Sequence, residues 1–310
     1  MNARPGQVSY LLHELFRDHV DHEHLFENIN YQHLLALQLS WSDILKHIDR
    51  LSDADGRYFL RNLETPYVHD YISENLAQIN LHHKSDVRSL EKALFVLGTL
   101  YDSQYDYKEF QSKLTSLEKA IRDNAATNRV AINETVEKLL IHEKPADDIQ
   151  LKNEIKQLFA IINQTLYDDW QLRGGSRQLL NIKSHFLQEL LSEHRRGIPL
   201  SLSCLYIIMS NRLGLPVYGV NLPRHFIAKL EISGFELFIN ADNRGELIER
   251  ENIPALLEEL KLPYNENYLD ECNYDTIIRR AIANLILLYK RKGPSGTVRF
   301  LEGLSRNLAL

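Results

Sequence analysis

Apolar residues recur at helical spacing along most of the chain. Up to about residue 85, Leu11, Leu12, Leu15 and Phe16, then Leu34, Leu35, Leu37 and Leu39, mark several short helices. Ser89 to Leu100 predicts another, and the stretch Tyr101 to Tyr107 interrupts the pattern. Leu114, Leu117 and Ile121 mark the next face, followed by Ile132, Val136, Leu139 and Leu140 before Pro145 ends the run. Leu151, Ile155, Leu158, Phe159 and Ile162 predict an amphipathic helix over 149–166. A turn at Gly174-Gly175 and a further helix through Phe186, Leu187, Leu190 and Leu191 follow. No strand is required before residue 215.

The texture then changes. Leu200 to Leu213 is apolar nearly all round, the mark of a helix buried on every side. Pro199 suits its first turn, and Gly214 with Pro216 suits its end. Short β-like runs follow at Val217 to Val220, His225 to Leu230 and Phe235 to Asn240. Ser233-Gly234 is the turn between the last two, and Asn243-Arg244-Gly245 is the turn after them. From Tyr274 the helical period returns through Ile277, Ile278, Ala281, Ile282, Leu285 and Leu288. A GPSG break at 293–296 and a last helix through Phe300, Leu301 and Leu304 complete a helical hairpin. The expected fold class is α+β and mostly helical, with a buried central helix packed on a small antiparallel sheet and flanking helices.

The hairpin register follows by arithmetic. With Ser233-Gly234 as the turn, Ile232 faces Phe235, so Ile227 faces Asn240 and His225 faces Asp242. Strand alternation puts these four on one face, with His225 diagonal to Asn240. An imidazole beside an amide or carboxylate is two thirds of a nucleophile, base and orienter set. A nucleophile would come from the start of the buried helix, where the dipole favours a thiolate. There stand Pro199, Ser201 and Ser203, with Cys204 one turn in. The serines read as first-turn hydrogen bonders.

The segment RRGIPLSLSCLYIIMSNRLGLPVYGVNLPRHFIAKL, followed by FELFINADNRGELI, resembles the SirB-type branch of the transglutaminase-like superfamily. The resemblance covers roughly residues 90 to 260, and the helical tail is similar to the TPR-like end of the same proteins. It implies a papain-like core with a Cys-His-Asp triad. The equivalent positions are Pro199, His225 and Asn240. Asparagine also orients the histidine of papain-like enzymes, but proline at the cysteine position removes the nucleophile. The implied organisation is an N-terminal helical region (1–88), a transglutaminase-like domain (89–262) and a TPR-like hairpin (263–310).

At 310 residues and 44% hydrophobic content the chain has material for a real core. A net charge of −6 gives no electrostatic reason to expect nucleic-acid binding. No segment reaches the length of a membrane span, and the N-terminus lacks the features of a secretory signal, so the expected compartment is the cytoplasm. The two cysteines, Cys204 and Cys272, form no metal-like or disulfide-like spacing. His13, His19, His22, His24 and His33 crowd the N-terminal helices, and His19 with His22 forms an i, i+3 pair without a clear third ligand. No metal site or cofactor is therefore assigned.

The leading expectation is a noncatalytic module that binds a protein or peptide. The alternative is a cysteine-dependent amide hydrolase or acyl transferase using Cys204 and His225 with Asn240 or Asp242. A third reading gives the peptide-binding role to the helical tail. The acidic, tyrosine-rich Tyr101–Tyr107 stretch is either a docking surface or a solvated loop whose rings lie on the core.

Overall fold

The structure is a computed structural model, described for residues 68–82, 84, 86–103, 105–175, 179–293 and 295–308. The helices expected around Leu11 to Leu39, and the N-terminal histidine cluster, lie outside the described residues. Helix α1 (residues 68–77) is followed by α2 (Val87–Gly98), α3 (Tyr107–Thr127), α4 (Ile132–Ile141) and α5 (Ile149–Asn163). Then come the short α6 (Leu187–Leu190) and α7 (Pro199–Arg212). Strands β1 (Val217–Val220), β2 (Ile227–Ile232), β3 (Phe235–Asn240) and β4 (Glu246–Ile248) precede α8 (Ile253–Glu259). Strand β5 (Glu271–Cys272) and the hairpin α9 (Tyr274–Lys292) and α10 (Ser295–Asn307) complete the order.

Helix α7 is the axis of the fold. Every residue from Leu200 to Ser210 is buried, as expected of a helix without a polar face. It packs against α2, α3 and α6 on one side and β1 and β2 on the other. Pro199 opens it, and Gly214, at φ +94°, follows its end. The Asn211 side chain donates to the carbonyls of Ile207 and Val217, tying the helix end to β1.

The sheet is antiparallel with strand order β4-β3-β2-β1-β5. Ile232 pairs with Phe235, Leu230 with Leu237 and Ala228 with Ile239, the register read from the sequence. Ser233 and Gly234 both have positive φ, as a two-residue hairpin turn of the primed type requires. Alternation sorts the strands between two cores. Val217, Ala228, Leu230, Leu237 and Ile239 face the main helical core, whereas Val220, Ile227 and Phe238 join a second cluster with Ile253, Leu256 and Leu257 of α8.

Four expectations are corrected. Residue 225 is not in a strand: β2 begins at Ile227, because Arg224 takes a left-handed conformation and the His225 N–H donates to the Leu222 carbonyl. Leu140, one position off the Leu139 stripe, is 52% exposed. The helix read through Leu191 is a single turn preceded by a 3-10 turn at Ile182–His185. The sheet also takes a fifth strand from beyond residue 262, pairing Glu271 with Val220 and Cys272 with Gly219.

The tail is bound to the body at that point. Asp275 N–H donates to the Leu81 carbonyl and the Tyr274 hydroxyl to the Lys84 carbonyl. The tyrosines of the Tyr101–Tyr107 stretch pack against neighbouring rings, Tyr101 and Tyr105 half-buried and Tyr107 39% exposed. Tyr101 stacks on Phe186 at 5.5 Å, and Tyr107 meets Phe95 edge-on at 4.9 Å.

At the C-terminal end of α7, Arg212 bonds both carboxylate oxygens of Glu91, at 2.7 and 2.8 Å, and the Gln111 amide oxygen at 2.7 Å. Glu91 is 2% exposed. Without Glu91, the largely buried Arg212 keeps only a longer, 3.5 Å contact to Glu118 as its ion pair, so Glu91→Ala is expected to cost about 3 kcal/mol. Urea unfolding followed by far-UV circular dichroism checks this.

Candidate functional site

The start of α7 is fastened before its chemistry is considered. The Ser201 hydroxyl accepts from the Ile198 N–H at 3.1 Å and donates to the Ser184 carbonyl at 2.7 Å. One turn beyond Pro199, the Ser203 hydroxyl donates to the Phe226 carbonyl at 3.1 Å. Residues four apart on a helix share a face. The face that carries Pro199 and Ser203 is thus turned toward the His225-Phe226 segment.

His225 and Asn240 are brought together. The His225 Nε2 lies 3.1 Å from the Asn240 Oδ1, and both residues are buried. With the amide oxygen as acceptor, the His225 Nε2–H is the donor of this bond. This is the orienting half of a His-based site.

Asp242 is not part of that pair. After Asn240 the chain leaves the sheet in a 3-10 turn, Ala241–Asn243, closed by Gly245 N–H donating to the Asn240 carbonyl. Arg244 and Gly245 both have positive φ. The Asp242 carboxylate accepts from the Gly175 N–H at 2.9 Å, which pins the Gly174-Gly175 loop against this turn. A Cβ on Gly174 would come within 2.2 Å of that carboxylate.

Cys204 is not brought to His225 either. It is fully buried, on a face about 140° round the helix from Pro199. Burial, and secondarily the nearby Cys272, pushes its thiol well above the ordinary range. Cys272 is itself pushed up to about 12, chiefly by burial. Neither thiol has the electropositive, open setting of a reactive cysteine.

The residues that hold the site together were not singled out from the sequence. The Tyr206 hydroxyl, on α7, donates to the Asn163 Oδ1 at 2.8 Å, and the Asn163 amide donates to the Gly245 carbonyl at 2.8 Å. The buried Tyr167 hydroxyl donates to the Ala241 carbonyl at 2.7 Å. Tyr167 lies in a π-helical turn, Gln164–Asp169, that extends α5, a form that often marks functional regions. Its phenol is pushed far above its usual range, first by burial and then by the Asp242 charge. On the other flank, Arg280 of α9 donates to the Asn221 side chain at 3.0 Å and reaches the Leu222 carbonyl at 3.5 Å. Leu222 also receives the His225 N–H.

Comparison with known proteins gives a consistent family. A model of the transglutaminase-like superfamily matches residues 108–283. A UPF0162 protein of Vibrio cholerae is 26% identical over 195 residues, 60% of this chain and 68% of that protein. F-box only protein 21 of Mus musculus is 26% identical over 155 residues, 47% of this chain but 24% of that protein. A UPF0162 protein of Pasteurella multocida is 30% identical over 87 residues, 28% of this chain and 33% of that protein. The chain thus spans about two thirds of the Vibrio protein and about a quarter of the F-box protein. No solved structure matches it.

Two outcomes follow from the geometry. Asn163→Ala leaves the Tyr206 hydroxyl and the Gly245 carbonyl without partners, so a loss of about 1–3 kcal/mol is expected in chemical denaturation. In the folded protein, iodoacetamide at pH 8 is expected to label Cys204 only after unfolding, because thiolate is the reacting form. Mass spectrometry of native and denatured samples reads this directly.

Proposed function

We propose that this chain, which belongs to the transglutaminase-like superfamily, is a noncatalytic member of it: a cytoplasmic module that binds a protein or peptide segment at the start of α7. We place it in the SirB-type branch, with α9 and α10 as the TPR-like end. The observation that carries the reading is the combination at one site of Pro199 in the nucleophile position and an intact, buried His225–Asn240 pair. Proline offers no group that can attack a carbonyl, and acyl transfer of the superfamily type begins with a thiolate attack.

The alternative, a hydrolase or acyl transferase built on Cys204, needs an accessible thiol within reach of the imidazole. A fully buried Cys204 whose electrostatic neighbour is Cys272 argues against it. The likeness to a stretch of F-box only protein 21 that is about a quarter of that protein's length fits a module used within larger proteins. Such a role suits a site kept for its shape and polarity, with the imidazole and amide serving as hydrogen-bonding groups.

Fluorogenic amide substrates and an amine-incorporation assay test this. Wild type, Cys204→Ser and His225→Ala are expected to give the same background rate, while His225→Ala weakens capture of a bound segment. A thiol-dependent rate that disappears in His225→Ala would overturn the proposal.

A further inference from the structure

The turn that carries His225 is held from outside the sheet. Strand β1 ends at Val220 and β2 begins at Ile227. Between them the Leu222 N–H donates to the Val220 carbonyl at 3.2 Å, the His225 N–H donates to the Leu222 carbonyl at 3.2 Å, and Arg224 takes φ +64°. A non-glycine residue in that region persists only where its surroundings over-determine it.

Three elements supply that determination. From α7, the Ser203 hydroxyl donates to the Phe226 carbonyl, and from β3 the Asn240 side chain accepts from His225. The third element is α9. Its Arg280 guanidinium donates to the Asn221 Oδ1 at 3.0 Å and reaches the Leu222 carbonyl at 3.5 Å. Ile277, three residues earlier, lies on the same face of the helix. A Cβ on Gly219 would come within 2.7 Å of the Phe226 ring and 3.2 Å of the Ile277 side chain, so the ring and α9 close together over that glycine.

Arg280 stands there without a counter-ion. It is half-buried, and among the described residues it makes no ion pair, whereas its neighbour Arg279 pairs with Asp275 at 2.6 Å. Burial alone pulls its guanidinium below the usual range. Taking a cation partly out of water without a counter-ion is unfavourable, and the two acceptors that Arg280 reaches both belong to the His225 turn. The Leu222 carbonyl is shared between the His225 N–H and Arg280, as its two lone pairs allow.

We infer that Arg280 is a positioning residue for His225: by holding the Asn221 side chain and the Leu222 carbonyl, α9 fixes the left-handed turn that aims the imidazole at Asn240. The helical tail is thereby coupled to the site. It is fastened to the rest of the fold by the pairing of β5 with β1 and by the Tyr274 hydroxyl on the Lys84 carbonyl, and a displacement of α9 loosens the imidazole from its amide partner. The inference goes beyond the binding reading and concerns the unliganded chain, so its test does not depend on whether a segment is captured.

Nuclear magnetic resonance of the full chain carrying isotope-labelled histidine reads the imidazole directly, with the His225 ring signals identified by their loss in His225→Ala. Arg280→Ala is expected to shift those signals and to speed exchange of the Nε2 proton with water about tenfold, equivalent to about 1.4 kcal/mol of lost restraint. Arg280→Lys, which keeps a charged donor, should restore most of the protection. Arg279→Ala, which breaks the neighbouring pair with Asp275, should leave the His225 signals in place. Asn221→Ala removes the same contact from the side of the turn and should reproduce the Arg280→Ala response, and the double variant should add little to either.

Unchanged His225 signals and exchange in Arg280→Ala overturn the inference. An equal response to Arg279→Ala overturns it too, because it marks a general loosening of the fold. A double variant whose effect is the sum of the two single ones also overturns it, since two independent contacts would then be acting. Where Arg280→Ala does not fold, Arg280→Gln, with a shorter and neutral donor, takes its place and is held to the same outcomes.

Discussion

A helix of fourteen residues with no polar face must be surrounded, and that requirement shapes this protein. A sheet covers one side of α7 and helices α2, α3 and α6 cover others, so segments distant in sequence are drawn to one axis. The ends of the axis carry the polar work. Ser201 fastens its start to Ser184, and Arg212 fastens its end to Glu91 and Gln111. Burial supplies the driving force, while these polar ends fix where the helix stops along its own axis.

The same axis positions the His225–Asn240 pair. Asn163 stands between Tyr206 of the central helix and Gly245 of the turn that follows Asn240, and its amide serves both. The position of Asn240 is thus coupled to helix packing as well as to strand pairing. Asp242, which a flat reading of the hairpin puts opposite His225, instead accepts from the Gly175 N–H and ties the turn to the glycine loop.

Much of this was legible in the chain. The all-round apolar run from Leu200 marked the central helix, and the Ser233-Gly234 turn with alternating residues fixed the hairpin register, hence the closeness of His225 and Asn240. What escaped depended on conformations and pairings without a local signal. Arg224 adopts a left-handed turn usually signalled by glycine or asparagine, which takes His225 out of the strand. Strand β5 has two residues, too few for any alternation, and exists through its pairing with β1. Asn163 lies near the end of an amphipathic helix, where an amide reads as a surface residue. Its one visible hint was the buried run Thr165, Leu166 and Tyr167, which continues where a solvated helix end was due.

The order of the strands also governs how this molecule meets others. Its sheet is bounded by its two shortest strands, three residues in β4 and two in β5, while the six-residue β2 and β3 are paired on both sides. A long open edge is what an incoming chain needs to extend a sheet by backbone pairing, whether in peptide capture or in aggregation. These stubs offer so few free amides that main-chain templating of a further strand is closed off.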